Sequence, residues 1–165
     1  MGDLIFPKLA FGIDQVAEKI DKTKWGSKFS WSQVQSLAKY CQIYSVPAGD
    51  FIIREGDSAG HLCIVIKGRV VVSKKDDSTR NKKIIEFGPG QTFGEMSLVD
   101  GEPRSASVKA VTETEIVVLS DKGFAELGEQ VPRLAFDLLS EIARYISQRL
   151  RRTSGELVQL IDSEE

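Results

Sequence analysis

The chain has 165 residues, with 22 Lys plus Arg against 24 Asp plus Glu, a formal net charge of −2, 41% hydrophobic and 28% charged residues. That length and balance suit one well-buried globular core, and there is no basic excess to create a field that would draw the protein to nucleic acid or an anionic membrane. No run of about 18 apolar residues occurs and no basic segment precedes an apolar stretch at the N-terminus, so the expectation is a cytoplasmic protein with neither a membrane span nor export.

An apolar start, Leu4-Ile5-Phe6, leads to an amphipathic segment from Ile13 to Ile20 in which Ile13, Val16, Ala17 and Ile20 recur at helical spacing. This short helix is expected to pack on the domain or on a partner. A second helix follows, with Ser30 or Ser32 as cap and Val34, Leu37, Ala38 and Cys41 on one face. From Ile43 to Ser120 the pattern changes to short segments rich in β-branched residues and punctuated by turn signals. Strands are expected at 51–53, 62–67, 69–73, 83–87, 107–111 and 115–119. Strands this short and evenly spaced indicate a closed sandwich or a jelly-roll barrel. Gly49, Gly56, Gly68, Gly88, Gly90 and Gly101 read as turn residues with positive φ, and 74–83 reads as a solvated polar hairpin tip.

Asp121 reads as the N-cap of a helix running to about Leu127. Pro132 then opens a longer one, from Arg133 to about Arg152, since proline suits a first helical turn. Its apolar positions Phe136, Leu139, Ala143, Ile146 and Leu150 step by three and four, a seam suited to the barrel or to another helix. Arg149, Arg151 and Arg152 read as basic residues favoured by the dipole at a helix end. The chain thus divides into an N-terminal helical extension (1–28), a main domain (29–152) and an acidic tail (153–165).

Cys41 and Cys63 have no metal or redox spacing and read as small core residues. The single histidine, His61, reads as a strand-edge residue. It cannot supply the two or three imidazoles that a metal-dependent barrel enzyme would need. The chemistry concentrates instead in 93–108, Phe-Gly-Glu-Met-Ser-Leu-Val-Asp-Gly-Glu-Pro-Arg-Ser-Ala-Ser-Val. Backbone N–H groups at a short helix start make a positive cradle, and a planar guanidinium adds two parallel charge-assisted hydrogen bonds, so the loop suits a cyclic phosphate. A carboxylate in that company must face another part of the ligand, and Glu95 fits a sugar hydroxyl. Taken singly, Glu95 is equally an ordinary first-turn acid, and Arg104 a surface partner of Asp100 or Glu102.

Gly94-Glu95-Met96-Ser97-Leu98, with Arg104-Ser105-Ala106-Ser107-Val108 nine positions after the glutamate, resembles the phosphate-binding cassette of cyclic nucleotide-binding domains. That family includes the bacterial catabolite activator and the regulatory subunits of protein kinase A. Val46-Pro47-Ala48-Gly49, Arg54-Glu55-Gly56-Asp57, Gly68-Arg69-Val70 and Gly90 to Gly94 extend the resemblance over roughly residues 29 to 152. It implies a mainly β fold, a β jelly-roll barrel with N-terminal helices and C-terminal helices, and a regulatory protein rather than an enzyme.

The same resemblance assigns the site to Gly94, Glu95, Met96, Ser97, Arg104, Ser105 and Ala106. Glu95 would bind the ribose 2′-hydroxyl and Arg104 the exocyclic phosphate oxygens. Backbone N–H groups of Met96, Ser97 and Ala106, with the Ser105 hydroxyl, would complete the phosphate shell. The expected ligand is cAMP, with cGMP possible because the Ser105 hydroxyl suits either base. The last helix would close over the base, with Arg144, Tyr145 and Gln148 placed to reach it. It would also carry the output to an unknown protein partner or to a second copy of the chain. Residues 153–165 are too short and too acidic for a DNA-recognition helix, so a stand-alone sensor without DNA or membrane contact is expected. The alternative is a degenerate interaction module of the same fold that binds no nucleotide.

Overall fold

Residues 41–120 resolve into β1 (Cys41–Val46), β2 (Phe51–Ile53), β3 (His61–Lys67), β4 (Val70–Lys75), β5 (Asn81–Phe87), β6 (Thr92–Phe93), β7 (Ser107–Ala110) and β8 (Thr114–Ser120) in a computed structural model that describes residues 4–163. They form two four-stranded antiparallel sheets, ordered β1-β8-β3-β6 and β2-β7-β4-β5. The central strands explain the layering. His61 to Val65 is buried throughout. In β3, Leu62 and Ile64 point to one core while Cys63 and Val65 point to the other, and in β8 Val117 and Leu119 oppose Ile116 and Val118 in the same way. Side chains alternate across a strand, so a strand buried on both faces needs a layer on each. The second sheet covers one face and the helices cover the other, which is the expected jelly roll with flanking helices.

Five helices complete the described residues: α1 (Ile13–Asp21), α2 (Trp31–Ala38), α3 (Glu95–Asp100), α4 (Asp121–Gln130) and α5 (Pro132–Ser163), with a 3-10 turn at Gly26–Lys28. Between the two possible caps of α2, Ser30 is used. Its hydroxyl accepts from the Gln33 N–H at 3.2 Å, while the Gln33 side chain accepts from the Ser30 N–H at 2.9 Å, a reciprocal capping box. The N-terminal segment runs beside β1, with Leu9 N–H to the Ile43 carbonyl at 2.8 Å and Ser45 N–H to the Pro7 carbonyl at 3.1 Å. It covers the outer edge of that strand, which would otherwise present unpaired backbone groups.

Several local expectations are corrected. Cys41 does not end α2: it opens β1, paired with Leu119. Its spacing from Ala38 mimicked helical periodicity because both residues enter the same core. Ser120, not Asp121, caps α4, its hydroxyl accepting from the Gly123 N–H at 3.0 Å. Gly88 does not take positive φ, whereas Gly94 does. Helix α5 runs unbroken for 32 residues to Ser163 and does not stop near Arg152; Glu164 and Glu165 lie outside the described residues.

The side of α5 that packs on the domain carries Leu134, Ala135, Leu138 and Ile142. Burying each large side chain of that set is worth roughly 1.5–3 kcal/mol, enough to hold the first half of the helix in place. Most of the seam anticipated from the sequence faces outward, with Phe136, Leu139 and Leu150 62%, 39% and 66% exposed, while Ile146 packs against the core. Cys41 and Cys63 are fully enclosed, and burial pushes both thiols up to about 12.

Candidate functional site

The loop after β6 turns sharply into α3 at Gly94, whose φ of 81° lies in the left-handed region. A Cβ there would sit 2.3 Å from the His61 carbonyl oxygen and 3.0 Å from Arg104 Nη1. Glycine is therefore required twice, for its backbone conformation and for the close approach to β3. The turn drops Glu95 inward, where it is 3% exposed.

Arg104 arrives from the loop before β7 and is equally enclosed, at 5% exposed. Its backbone is clipped to the turn after β2: Arg104 N–H donates to the Asp57 carbonyl at 2.8 Å and its own carbonyl accepts from Gly56 N–H at 2.9 Å. Its guanidinium donates through Nη1 to the Gly94 carbonyl at 2.8 Å and through Nη2 to the His61 carbonyl at 3.2 Å. Two fixed carbonyls thus orient the fork and leave its other N–H groups for a ligand. Burial lowers the Arg104 pKa from its ordinary value, opposed by Cys63, Glu95, Asp57 and Asp121, and the group stays cationic at neutral pH.

All the site residues expected from the sequence meet around one cavity of about 80 Å³: Gly94, Glu95, Met96, Ser97, Arg104, Ser105 and Ala106 line it, over an apolar floor that includes Val72, Phe87 and Val108. Glu95 is not paired as a first-turn surface acid. Its Oε1 accepts from Arg149 Nη1 of α5 at 2.6 Å, while its Oε2 is buried with no hydrogen-bond partner among the described residues. An orphaned carboxylate oxygen of this kind is rare in a folded protein and is explained most simply by a missing donor. Burial pushes the Glu95 carboxyl above its ordinary range, against the pull of its own backbone N–H, Arg149 and Arg104.

The raised pKa fixes a sign. The native state holds the Glu95 proton to higher pH than the unfolded chain does, so the associated stability is present below the unfolded pKa and is lost as pH rises through the native one. Urea unfolding of wild type and Glu95→Gln between about pH 4 and pH 7 should show wild type losing ground to the variant as pH rises. A difference that stays constant would mean that Glu95 ionises without penalty.

Arg149, which the sequence marks only as a helix-end cation, is a further residue of this site. Its guanidinium lies 5.3 Å from the Phe87 ring centroid and 5.4 Å from that of Tyr145, so it is sandwiched as well as ion-paired. The signal was the buried stripe of α5: Leu138, Ile142, Tyr145 and Arg149 step by four, three and four along one face. Conversely, Arg144, Tyr145 and Gln148 do not line the Glu95–Arg104 cavity. They face a separate, larger cleft, and Tyr145 donates its hydroxyl to the Thr92 carbonyl at 3.3 Å.

Residues 43–131 match the family model described as "Cyclic nucleotide-binding domain". The cAMP-activated global transcriptional regulator CRP of Haemophilus influenzae is 38% identical over 122 residues, 73% of this chain and 53% of that protein. The chain spans little more than half the length of the curated CRP relatives it matches. Among solved structures, a cyclic nucleotide-binding domain from Methylobacillus flagellatus superposes with a TM-score of 0.77 at 30% identity, covering 88% of this chain and 82% of that one. The Thermus thermophilus catabolite activator protein superposes with a TM-score of 0.69 at 30% identity, over 86% and 62% of the two chains. With the glycine turn, the enclosed acid and the enclosed arginine around one cavity, these likenesses agree, and the chain belongs to the cyclic nucleotide-binding domain family.

Proposed function

We propose that this protein is a cytoplasmic sensor that binds a cyclic nucleotide, cAMP in preference to cGMP, between Glu95 and Arg104. The observation that carries this reading is the unpartnered Glu95 Oε2, buried beside a cationic fork. A ribose hydroxyl supplies the donor that oxygen lacks, and a cyclic phosphate supplies the anion that the Arg104 guanidinium lacks. Met96, Ser97 and Ala106 N–H groups and the Ser105 hydroxyl complete the phosphate shell. The binding unit is taken as residues 29–152, with 1–28 and 153–165 as its flanks.

A cavity of about 80 Å³ is too small for a whole nucleotide. Binding therefore requires the side chains above it to move, and Arg149 is the one that ties α5 to the acid. A ligand biases the position of α5 only by its different affinity for the two arrangements, so release or re-forming of the Arg149–Glu95 pair is the natural coupling element. Isothermal titration with both nucleotides should give one saturable site per chain, tighter for cAMP, and a raised melting midpoint. Failure of both nucleotides to bind or to shift the midpoint would favour the second reading, an interaction module whose pocket is closed by Arg149.

The outward stripe of α5 supports a second copy as the receiver of the signal. Phe136, Leu139, Ala143 and Leu150 face outward and, with the half-buried Ile146 between them, continue at the same heptad spacing through Thr153, Leu157 and Leu160, of which Leu157 and Leu160 are 57% and 64% exposed. Apolar residues repeating every three and four positions over four turns and more make a coiled-coil seam. Light scattering is expected to show a dimer for wild type and a monomer for Leu150→Asp. Identical masses would place the output elsewhere.

A further inference from the structure

On the far side of Tyr145 from the cassette, a cleft of about 520 Å³ separates α5 from the turn that follows α1. Lys24, Trp25 and Lys28 form one wall, Glu141 and Arg144 stand on the other, and Gly90 to Thr92 make the floor. The cleft continues past Lys24 and Gly90 into a second one of about 380 Å³ bordered by Lys19 and Lys22. Lys24, Gly90 and Gln91 line both clefts.

The charges in this trough are unevenly satisfied. Arg144 is paired with Glu141, and Lys19 Nζ lies 3.7 Å from Glu115. Lys22, Lys24 and Lys28 make no ion pair among the described residues, although the chain as a whole is net negative and Asp21 is the one acid between Lys19 and Lys28. Trp25 is largely enclosed, with its ring held 5.1 Å from that of Phe29. The wall is thus a row of exposed ammonium groups standing over a buried, rigidly held indole.

We infer that this trough docks an extended acidic segment of a partner protein, its carboxylates against Lys22, Lys24 and Lys28 and an apolar side chain against Tyr145. The joined clefts are long and their cations are strung along them, which suits a chain. A small phosphate would instead need donors converging on one point from fixed positions. A membrane surface would need the cations on an open, convex face, and here Lys24 and Lys28 line a cleft that also carries Glu141 of α5. Rim charges of this kind contribute little each and are screened by salt, so the interaction is expected to be modest in affinity and strongly salt-dependent. The surface shares no lining residue with the nucleotide cavity, although α5 contributes to both, and the inference does not rest on nucleotide binding.

The test uses the full chain and a short fluorescein-labelled peptide of glutamates around a central phenylalanine, followed by anisotropy at low and high salt. Binding should weaken about tenfold in Lys24→Glu/Lys28→Glu and with added salt, as reversal of two rim charges implies, and should vanish for the glutamine version of the peptide. No binding at low salt, or equal binding by the double variant, would overturn the proposal. So would Lys24- and Lys28-dependent binding of tripolyphosphate or anionic vesicles in place of the peptide. A cAMP titration of the double variant separates the two claims: it should match wild type, because neither lysine lines the Glu95–Arg104 cavity.

Discussion

Arg104→Ala is expected to weaken cyclic nucleotide binding by roughly 30- to 4,000-fold, the span given by about 2–5 kcal/mol for truncating one partner of an enclosed charge pair. The size of the effect follows from enclosure. At 5% exposed, the guanidinium meets its ligand with little competing water, so its loss leaves the phosphate's charge unpaired. Arg104→Lys should recover only part of the affinity, since an ammonium supplies charge but not the planar fork held by the Gly94 and His61 carbonyls. Removing Arg104 also leaves those carbonyls short of a donor, a loss of about 1–3 kcal/mol in stability for each one left unsatisfied. Circular dichroism before each titration separates a damaged fold from a damaged site. Wild-type affinity in a folded Arg104→Ala protein would remove the phosphate role from this residue.

Gly94→Ala should be the most disruptive single methyl group in the cassette. Its Cβ would lie 2.3 Å from a backbone oxygen of β3, where no flexible side-chain end can yield. Left-handed backbone strain adds about 1–2 kcal/mol and forced repacking about 1–3 kcal/mol. The sum is a large share of a stability of about 5–15 kcal/mol and should lower the melting midpoint by on the order of 10 °C. Gly101→Ala is the matched control: φ there is 70°, but no atom lies within 4 Å of the added Cβ. It should show the strain alone, about 1 kcal/mol or slightly more. Equal midpoints for the two variants would mean that β3 moves aside without penalty.

The cassette was legible because its parts are close in sequence and differ sharply from their surroundings. A glycine, an acid and an arginine within 94–104 line one cavity and lie within eleven positions of one another in the chain. Arg149 was hidden because it reaches Glu95 across 54 positions of chain, and nothing in its neighbours Gln148 and Leu150 marks it as inward-facing. The two apolar stripes of α5 show the same limit. Leu134, Leu138 and Ile142 alternate with Phe136, Leu139 and Ala143 at equally helical spacing, and only the position of the sheet decides which of them is covered. Strand β3 declared itself as an unbroken apolar run. Strand β6 has two residues, too few to show any period, and β1 was obscured by Cys41.

The enclosed thiols make spectroscopy on this protein simple. With Cys41 and Cys63 both pushed up to about 12, neither furnishes thiolate at neutral pH, so maleimide and nitroxide reagents should pass the native chain by. A lone cysteine introduced at exposed Ser147 would take a spin label without removing either native one. In the proposed dimer, distances between such labels would report whether α5 moves as nucleotide is added.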